Sequence, residues 1–241
     1  MNPRLITTKS ILATVVFLAG IGLNSLAYAK DYAIEVIIFV NKDGLQQTAE
    51  QFSFNHVIPV PSNGITLDST TNNTDWQPIP AEDYILNNVA EKLTRSGRYR
   101  ILKHLAWRQP VVDRDDALPI NITAGRDFTS LFPERAYRQI EFSDTSTETD
   151  QSASNTVREL AGTINVVITR YIHVYSDMVY RLPRSNPMSI DDALNRDQVL
   201  VDYAVNSHRR MRSRELHYID HPLVGILVEA TPIEEDLEQE N

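Results

Sequence analysis

The sequence predicts an α+β fold in which a mostly antiparallel sheet carries one main helix packed on it. Long runs of alternating apolar and polar residues occupy the second half of the chain, as expected of half-buried strands. Turn-forming segments separate these runs, which favours antiparallel pairing over a doubly wound parallel sheet. One segment, at about 80–96, has instead the apolar period of an amphipathic helix.

The first predicted elements are a strand, the helix and a second strand. Asp31 to Val40 is mostly apolar on both faces, which predicts a central strand that is covered on each side. In the helix at about 80–96, apolar residues recur at every fourth position from Ile85 to Leu93, and Gly97 can end it. Tyr99 to Trp107 alternates as a strand. This strand–helix–strand unit is compatible with a right-handed crossover.

The later elements are all predicted strands. Leu118 to Thr123 is a short one, and Leu223 to Ala230 is the last. Between them, 163–181 alternates over its whole length and is predicted as one long half-buried strand. Residues 198–212 continue the same period, so we predict that these two long strands are adjacent and antiparallel.

One charged residue interrupts the apolar face of the 163–181 strand. Arg170 lies between Ile168 and Ile172 on that face, where a guanidinium needs a partner or a path to water. Glu35 is also surrounded by apolar residues on a predicted strand. We therefore predict a buried structural ion pair between Arg170 and Glu35.

The first 29 residues have the features of a cleaved signal peptide. Arg4 and Lys9 precede an apolar run from Ile11 to Leu23, and Ala27-Tyr28-Ala29 is an A-x-A cleavage site. The apolar run is shorter than the ~20 residues that span a bilayer, so an uncleaved anchor is the less favoured alternative. We expect a soluble periplasmic protein with no transmembrane segment after cleavage.

The remaining chain is predicted to form a single domain over 30–233. Polar residues dominate 41–77 and 141–157, which we expect to be mobile loops. Residues 234–241 form an acidic tail. Without residues 1–29, 21 basic residues face 32 acidic ones, for a net charge of −11.

Composition excludes several classes of function. The 241 residues are 42% hydrophobic and carry a net charge of −9, which is compatible with a folded acidic protein and argues against nucleic-acid binding. No Cys is present, so a disulfide framework, a thiolate metal site and a Cys nucleophile are excluded. The sequence contains no phosphate-binding glycine motif and no G-x-S-x-G nucleophile motif, and we expect no cofactor.

A histidine-rich segment near the C-terminus has the residue types of a metal site. Glu215, His217 and His221 would share one face of a strand, with Asp220 nearby. Nothing in the sequence fixes a third ligand, so a structural histidine pair is favoured over a metal.

The most unusual local feature is a run of arginines in an acidic chain. On a strand, His208, Arg210, Arg212 and Arg214 would line one face. Guanidinium forks bind carboxylates, so the three arginines are candidate ligand-binding residues; a salt-bridged sheet face is the alternative. The aromatic candidates for the same site are Trp107, Tyr171 and Tyr218, with packing in the core as the equally weighted alternative for each.

Five blocks of the sequence carry a resemblance to a known family. They are Asp31–Phe39, Tyr99–Leu102, His104–Pro110, Arg170–His173 and, longest and most specific, Arg209–Gly225. In this order they resemble the CsiV family of small periplasmic proteins from gammaproteobacteria. The chain departs from the family at Arg214, where the residue is usually small and often Gly, so a different turn is expected there.

The resemblance implies peptidoglycan binding without catalysis. The implied role supports a bifunctional cell-wall synthase, a class A penicillin-binding protein, and its outer-membrane lipoprotein activator. The resemblance supplies no catalytic or binding residues. The alternatives are a cell-wall hydrolase, which should show a perturbed acid or His in a deep cleft, and a periplasmic protein–protein adaptor without glycan contact, which should show an exposed apolar patch.

Overall fold

Two antiparallel β-sheets and one α-helix account for most of the regular structure of the described residues. The computed structural model describes residues 31–44, 64–67, 73–135, 156–185 and 198–233. The predicted signal peptide, most of the predicted loops at 41–77 and 141–157, and the acidic tail lie outside these residues. Within the described residues, no helix has the length and apolar character that crossing a membrane would require.

The first sheet has five strands in the order β2-β3-β1-β9-β8, and the second has four in the order β4-β5-β6-β7. The elements in chain order are β1 (Asp31–Asn41), β2 (Gln77–Pro78), a 3₁₀ turn (Ala81–Asp83), α1 (Asn87–Arg95), β3 (Tyr99–Pro110), β4 (Ile120–Asp127), β5 (Arg158–Ile168), β6 (Ile172–Ser185), β7 (Gln198–Met211), β8 (His217–Ile219) and β9 (Val224–Ile233). This mostly antiparallel architecture with one main helix confirms the predicted α+β fold class.

The inner faces of the two sheets share one hydrophobic core. Alternate residues of β1, such as Ile34 and Ile38, belong to the same buried cluster as Ile164 and Met178 of the second sheet. The other face of β1 contributes to a smaller cluster with residues of α1 and of the turn before it. β1 is therefore covered on both sides, as its two apolar faces predict.

Two early predictions require correction. β1 and β3 are neighbours, but they pair antiparallel, so the expected right-handed crossover is wrong. The helix is also shorter than predicted, since α1 begins at Asn87 rather than near residue 80. The backbone N–H groups of Ile85 and Leu86 donate instead to the carboxylate of Glu35 in β1, which fixes an irregular turn before the helix.

The predicted 163–181 strand is two strands joined by a tight turn. β5 ends at Ile168, β6 begins at Ile172, and these two residues pair across the hairpin. The turn has three residues, an odd number, so even-numbered residues face the core on both strands and the alternation continues through the turn. β6 pairs antiparallel with β7 along its length, which confirms the predicted pairing for this half.

The predicted Arg170–Glu35 ion pair is wrong. Arg170 lies in the β5–β6 turn and is exposed, so its charge stays in water. Glu35 lies in the other sheet, where it is buried and accepts hydrogen bonds from two backbone N–H groups and contacts His104. The turn resolves the apparent conflict of an arginine on an apolar face.

The turn from β7 to β8 contains a strained residue. Arg214 has φ 60°, and it is the sole non-glycine residue with positive φ among those the structure describes. Its backbone N–H donates to the carbonyl of Ala230, which ties the turn to β9. A side chain in this conformation costs about 1 kcal/mol, whereas glycine adopts it freely.

Arg214→Gly is therefore expected to raise the free energy of unfolding by about 0.5–1 kcal/mol, measured by urea denaturation. Arg214→Ala serves as the control, because alanine keeps the Cβ that causes the strain. An equal gain in both variants would attribute the effect to the arginine side chain rather than to φ.

Candidate ligand-binding site

The structure brings two of the six predicted binding residues together. Tyr171 precedes β6, Arg210 is near the end of β7, and the guanidinium carbon of Arg210 lies 4.5 Å from the centroid of the Tyr171 ring. Both residues are exposed. The other four predicted residues lie elsewhere.

Trp107 is part of the core and is not available to a ligand. Its side chain is 0% exposed, and its indole N–H donates to Gln109 at 2.9 Å. In the sequence, Trp107 is a candidate binding residue only because it is aromatic and lies on a predicted strand. Its position on the inner face of β3 corrects that prediction.

Tyr218 is exposed but lies on a different surface. It belongs to β8 of the first sheet, its ring stacks on Phe39 with centroids 6.2 Å apart, and its hydroxyl donates to Asp220 at 2.6 Å. Burial and the neighbouring carboxylate raise the pKa of the Tyr218 hydroxyl. These contacts tie it to the face of the first sheet that also carries α1.

The predicted arginine row is interrupted. β7 ends at Met211, so the expected continuation of one strand face through Arg212 and Arg214 is wrong. Both residues lie in the turn before β8, where Arg212 is 3.9 Å from the carboxylate of Glu215. The row ends because the backbone turns at Arg214, where φ is positive.

Around Tyr171 and Arg210 the structure assembles a larger group, here called the ring–arginine cluster. It lies on the outer face of the β6–β7 pair, because Ile172 and Val174 turn inward to the core and the residues between them turn outward. Its members are Arg114, Arg170, Tyr171, His173, Tyr175, His208 and Arg210.

The rings of the cluster stack on one another. Tyr175 and His208 are cross-strand partners with centroids 4.3 Å apart and planes inclined by 4°. His173 follows at 5.2 Å from His208, and their facing ring nitrogens are 2.9 Å apart. One of these nitrogens must carry the shared hydrogen. The stack is thereby fixed in place on the sheet surface.

The two facing histidines resist a second positive charge. Burial, then the neighbouring His208 and Arg210, lower the pKa of His173. A proton on both facing nitrogens would also break their hydrogen bond. His173 is therefore harder to protonate than an ordinary histidine, and the arginines of the cluster supply positive charge at any physiological pH.

An arginine guanidinium lies close to the ring of each tyrosine in the cluster. The guanidinium carbons of Arg210 and Arg170 lie 4.5 Å and 5.7 Å from the Tyr171 centroid. Arg114, from the loop before β4, lies 4.9 Å from the Tyr175 centroid and donates to its hydroxyl at 3.3 Å. These are cation–π distances, so the rings orient the guanidinium planes.

None of the three arginines of the cluster has a carboxylate within 4.0 Å among the described residues, and Arg114 contacts Tyr175. Elsewhere in that part of the chain most guanidiniums, though not those of Arg184 and Arg209, lie within 4.0 Å of an acid, namely at Arg95, Arg98, Arg100, Arg108, Arg126, Arg135, Arg158, Arg181 and Arg212. Arg170 and Arg210 contact Tyr171 instead. Within the described ranges, this leaves exposed guanidiniums that are not paired with a carboxylate.

Sequence reasoning missed Arg114, His173 and Tyr175. The signal for the last two was present, because residues 171, 173 and 175 alternate with the core residues of β6. Recognising the cluster also required the register that places His173 opposite Arg210 and Tyr175 opposite His208. Arg114 lies in the loop before β4, and no sequence pattern near β6 or β7 indicates that it contacts them.

The histidines of the C-terminal histidine-rich segment contact backbone N–H groups of the turns on either side of β8. Nδ1 of His221 accepts the backbone N–H groups of Leu223 and Val224 at 3.2 and 3.3 Å. Nε2 of His217 lies 3.4 Å from the N–H of Arg212 and 3.5 Å from the carboxylate of Glu215. In the described ranges, no three acidic or histidine side chains are grouped to hold a metal ion.

Three buried carboxylates are occupied by structural partners. Glu35 binds two backbone N–H groups and His104. Burial raises the pKa of Glu159, but hydrogen bonds from Arg126 and Arg100 outweigh it and lower the pKa overall. Asp202 pairs with Arg135 and Arg181. Each of the three carboxylates contacts donors from other elements of the fold.

The fold and the cluster define a class: a two-sheet protein with an exposed, positively charged surface suited to an anionic ligand. A family model described as "Peptidoglycan-binding protein, CsiV" matches residues 10–233. The chain therefore belongs to the CsiV family of peptidoglycan-binding proteins, which confirms the resemblance seen in the sequence. The comparisons with curated proteins and with solved structures found no match.

Proposed function

We propose that the chain is a non-enzymatic periplasmic protein that binds peptidoglycan through the ring–arginine cluster. In this role it supports cell-wall synthesis by a class A penicillin-binding protein and its outer-membrane lipoprotein activator. One observation carries the choice of surface: Arg170 and Arg210 are oriented by Tyr171 but have no carboxylate partner within the described residues. Family membership supports the ligand.

The absence of catalysis is part of the proposal and rests on how the buried acids are used. A hydrolase needs an acid or His with free hydrogen-bonding capacity that faces a substrate cleft. Glu35, which lies 2.7 Å from His104, is 4% exposed, and its two carboxylate oxygens contact the backbone N–H groups of Ile85 and Leu86 and the ring of His104. These contacts link β1 to the turn before α1 and to β3, which is a structural role and favours binding over catalysis.

The proposal is tested by retention of the mature protein on purified sacculi. Replacing Arg170 and Arg210 together by Gln is expected to lower retention about tenfold or more, because charge-assisted hydrogen bonds contribute about 1.5–3 kcal/mol each. Retention of the parent should also fall from 0.1 to 1 M salt, as the Debye length shortens from ~10 to ~3 Å.

The matched control replaces Arg95 and Arg98 by Gln, which removes the same charge from exposed ion pairs outside the cluster. Retention of this control should equal that of the parent. Equal retention of both double variants would remove the cluster from the site. Release of soluble muropeptides by the purified parent would contradict the non-enzymatic role.

The role in synthesis has its own test. In a reconstituted polymerisation assay, the mature protein is expected to increase glycan-strand formation when the synthase and its lipoprotein activator are both present. An equal increase without the activator, or no increase with it, would contradict this part of the proposal while leaving peptidoglycan binding in place.

A further inference from the structure

Other groups of the protein already contact both tyrosine rings of the cluster. A sugar stacks on an aromatic side chain only where a ring face is open. On Tyr175, His208 is stacked at 4.3 Å and the Arg114 guanidinium lies at 4.9 Å. Tyr171 is 39% exposed, but Arg210 and Arg170 contact its ring. The cluster is therefore poorly suited to the faces of glycan rings.

The groups that remain available are the N–H edges of the guanidiniums. A guanidinium has five N–H donors in one plane, and stacking that plane near a ring leaves its edge free to donate. Arg170 and Arg210 have no carboxylate partner within the described residues to use those donors. Because Tyr171 already restricts their motion, less conformational entropy is lost when they bind a ligand.

These two features select one chemical part of peptidoglycan. The glycan strands offer hydroxyls, amides and ring faces, whereas the stem peptides carry the carboxylates that match a guanidinium edge. We infer that the ring–arginine cluster recognises the carboxylates of the stem peptides and that the glycan contributes little to binding. This inference rests on the proposed function.

The local charge agrees with this selection. Arg170 and Arg210 are both exposed beside Tyr171, in a chain whose net charge is −9. An acidic protein repels an anionic polymer at long range, so attraction must come from a local positive surface. The cluster supplies that surface beside the turn that carries Arg170.

Two altered polymers separate the carboxylates from the glycan. In the first, the sacculi are treated with an amidase that removes the stem peptides and leaves glycan strands. In the second, the sacculi keep their peptides, but the carboxylates are converted to methylamides. The mature protein is expected to be retained at least tenfold less on each polymer than on intact sacculi. Free stem peptides released by the amidase should compete for binding to intact sacculi.

Variants link these results to the cluster. Direct binding of free stem peptides to the protein should weaken about tenfold or more when Arg170 and Arg210 are replaced by Gln, and should be unchanged when Arg95 and Arg98 are replaced. Tyr171→Phe keeps the ring and should bind the peptides like the parent, whereas Tyr171→Leu should bind them more weakly. Equal peptide binding by all variants would place the peptide-binding site elsewhere.

The outcomes distinguish the inference from the proposed function. Full retention on peptide-free glycan strands or on methylamidated sacculi would overturn recognition of carboxylates while leaving peptidoglycan binding intact. Failure of the parent to bind intact sacculi would overturn the proposed function and this inference together.

Discussion

Asp202→Ala is expected to lower the free energy of unfolding by about 3–5 kcal/mol, because it leaves a buried guanidinium without its counter-charge. Asp202 in β7 is 1% exposed and lies opposite Arg181 of β6, which is 5% exposed. Arg135 reaches the same carboxylate from the segment that follows β4. Burial lowers the pKa of Arg181, and the charge of Asp202 opposes that effect.

Urea denaturation of the mature protein measures this loss, and two further variants identify its cause. Asp43→Ala removes an aspartate from a half-exposed pair with Arg98 and should cost less than about 1 kcal/mol. Adding Arg181→Met to Asp202→Ala removes the more buried of the two guanidiniums that lose Asp202 and should recover part of the stability. A double variant that is less stable than Asp202→Ala alone would attribute the loss to packing instead.

The sequence predicted the fold class well because it depends on the alternation of residues within each strand. β1 has two apolar faces and is the strand covered on both sides. The same signal could not reveal the turn at Arg170, since a three-residue turn keeps even-numbered residues inward on both sides of it. One long strand and a hairpin with an odd number of turn residues therefore give the same alternation of apolar and polar residues.

The candidate site could be predicted only in part for a related reason. Alternation places a side chain on a face, but it does not say which face is covered. Trp107 and Tyr171 are both aromatic residues at or next to strands, yet one is enclosed by the second sheet and the other is exposed. The cluster depends on the register between β6 and β7 and on a loop arginine, which are properties of the assembled sheets.

Alternation along the strands also could not identify the partner of Glu35, because that contact depends on how the elements pack. A buried acid needs donors, and the sequence offered Arg170 as a charged candidate on an apolar strand face. The fold instead supplies the backbone N–H groups of Ile85 and Leu86 at 2.8 and 3.0 Å, and His104 at 2.7 Å. Backbone donors are present at every residue and leave no trace in a sequence pattern, so this contact could not be anticipated.

Glu35→Ala is expected to lower the free energy of unfolding by about 2–4 kcal/mol, since it leaves two backbone donors without an acceptor, one of them buried. It should also reduce hydrogen-exchange protection of the amides from Ile85 through α1, because the carboxylate holds this segment against the first sheet. Glu35→Gln keeps an acceptor at the same position and should lose less. Unchanged exchange in α1 would show that the helix is held by its apolar contacts alone.

Replacing Glu229, the acid next to Glu35, is expected to raise stability rather than lower it. Glu229 in β9 is the cross-strand partner of Glu35, and burial followed by the charge of Glu35 raises its pKa. A raised pKa means that charged Glu229 disfavours the folded state at pH values above its ordinary pKa of about 4.3. Glu229→Gln should therefore raise the melting temperature at pH 7, and the gain should disappear near pH 4, where Glu229 is protonated. A lower melting temperature at pH 7 would show that the Glu229 carboxylate has a stabilising partner and that the repulsion from Glu35 is not the dominant effect.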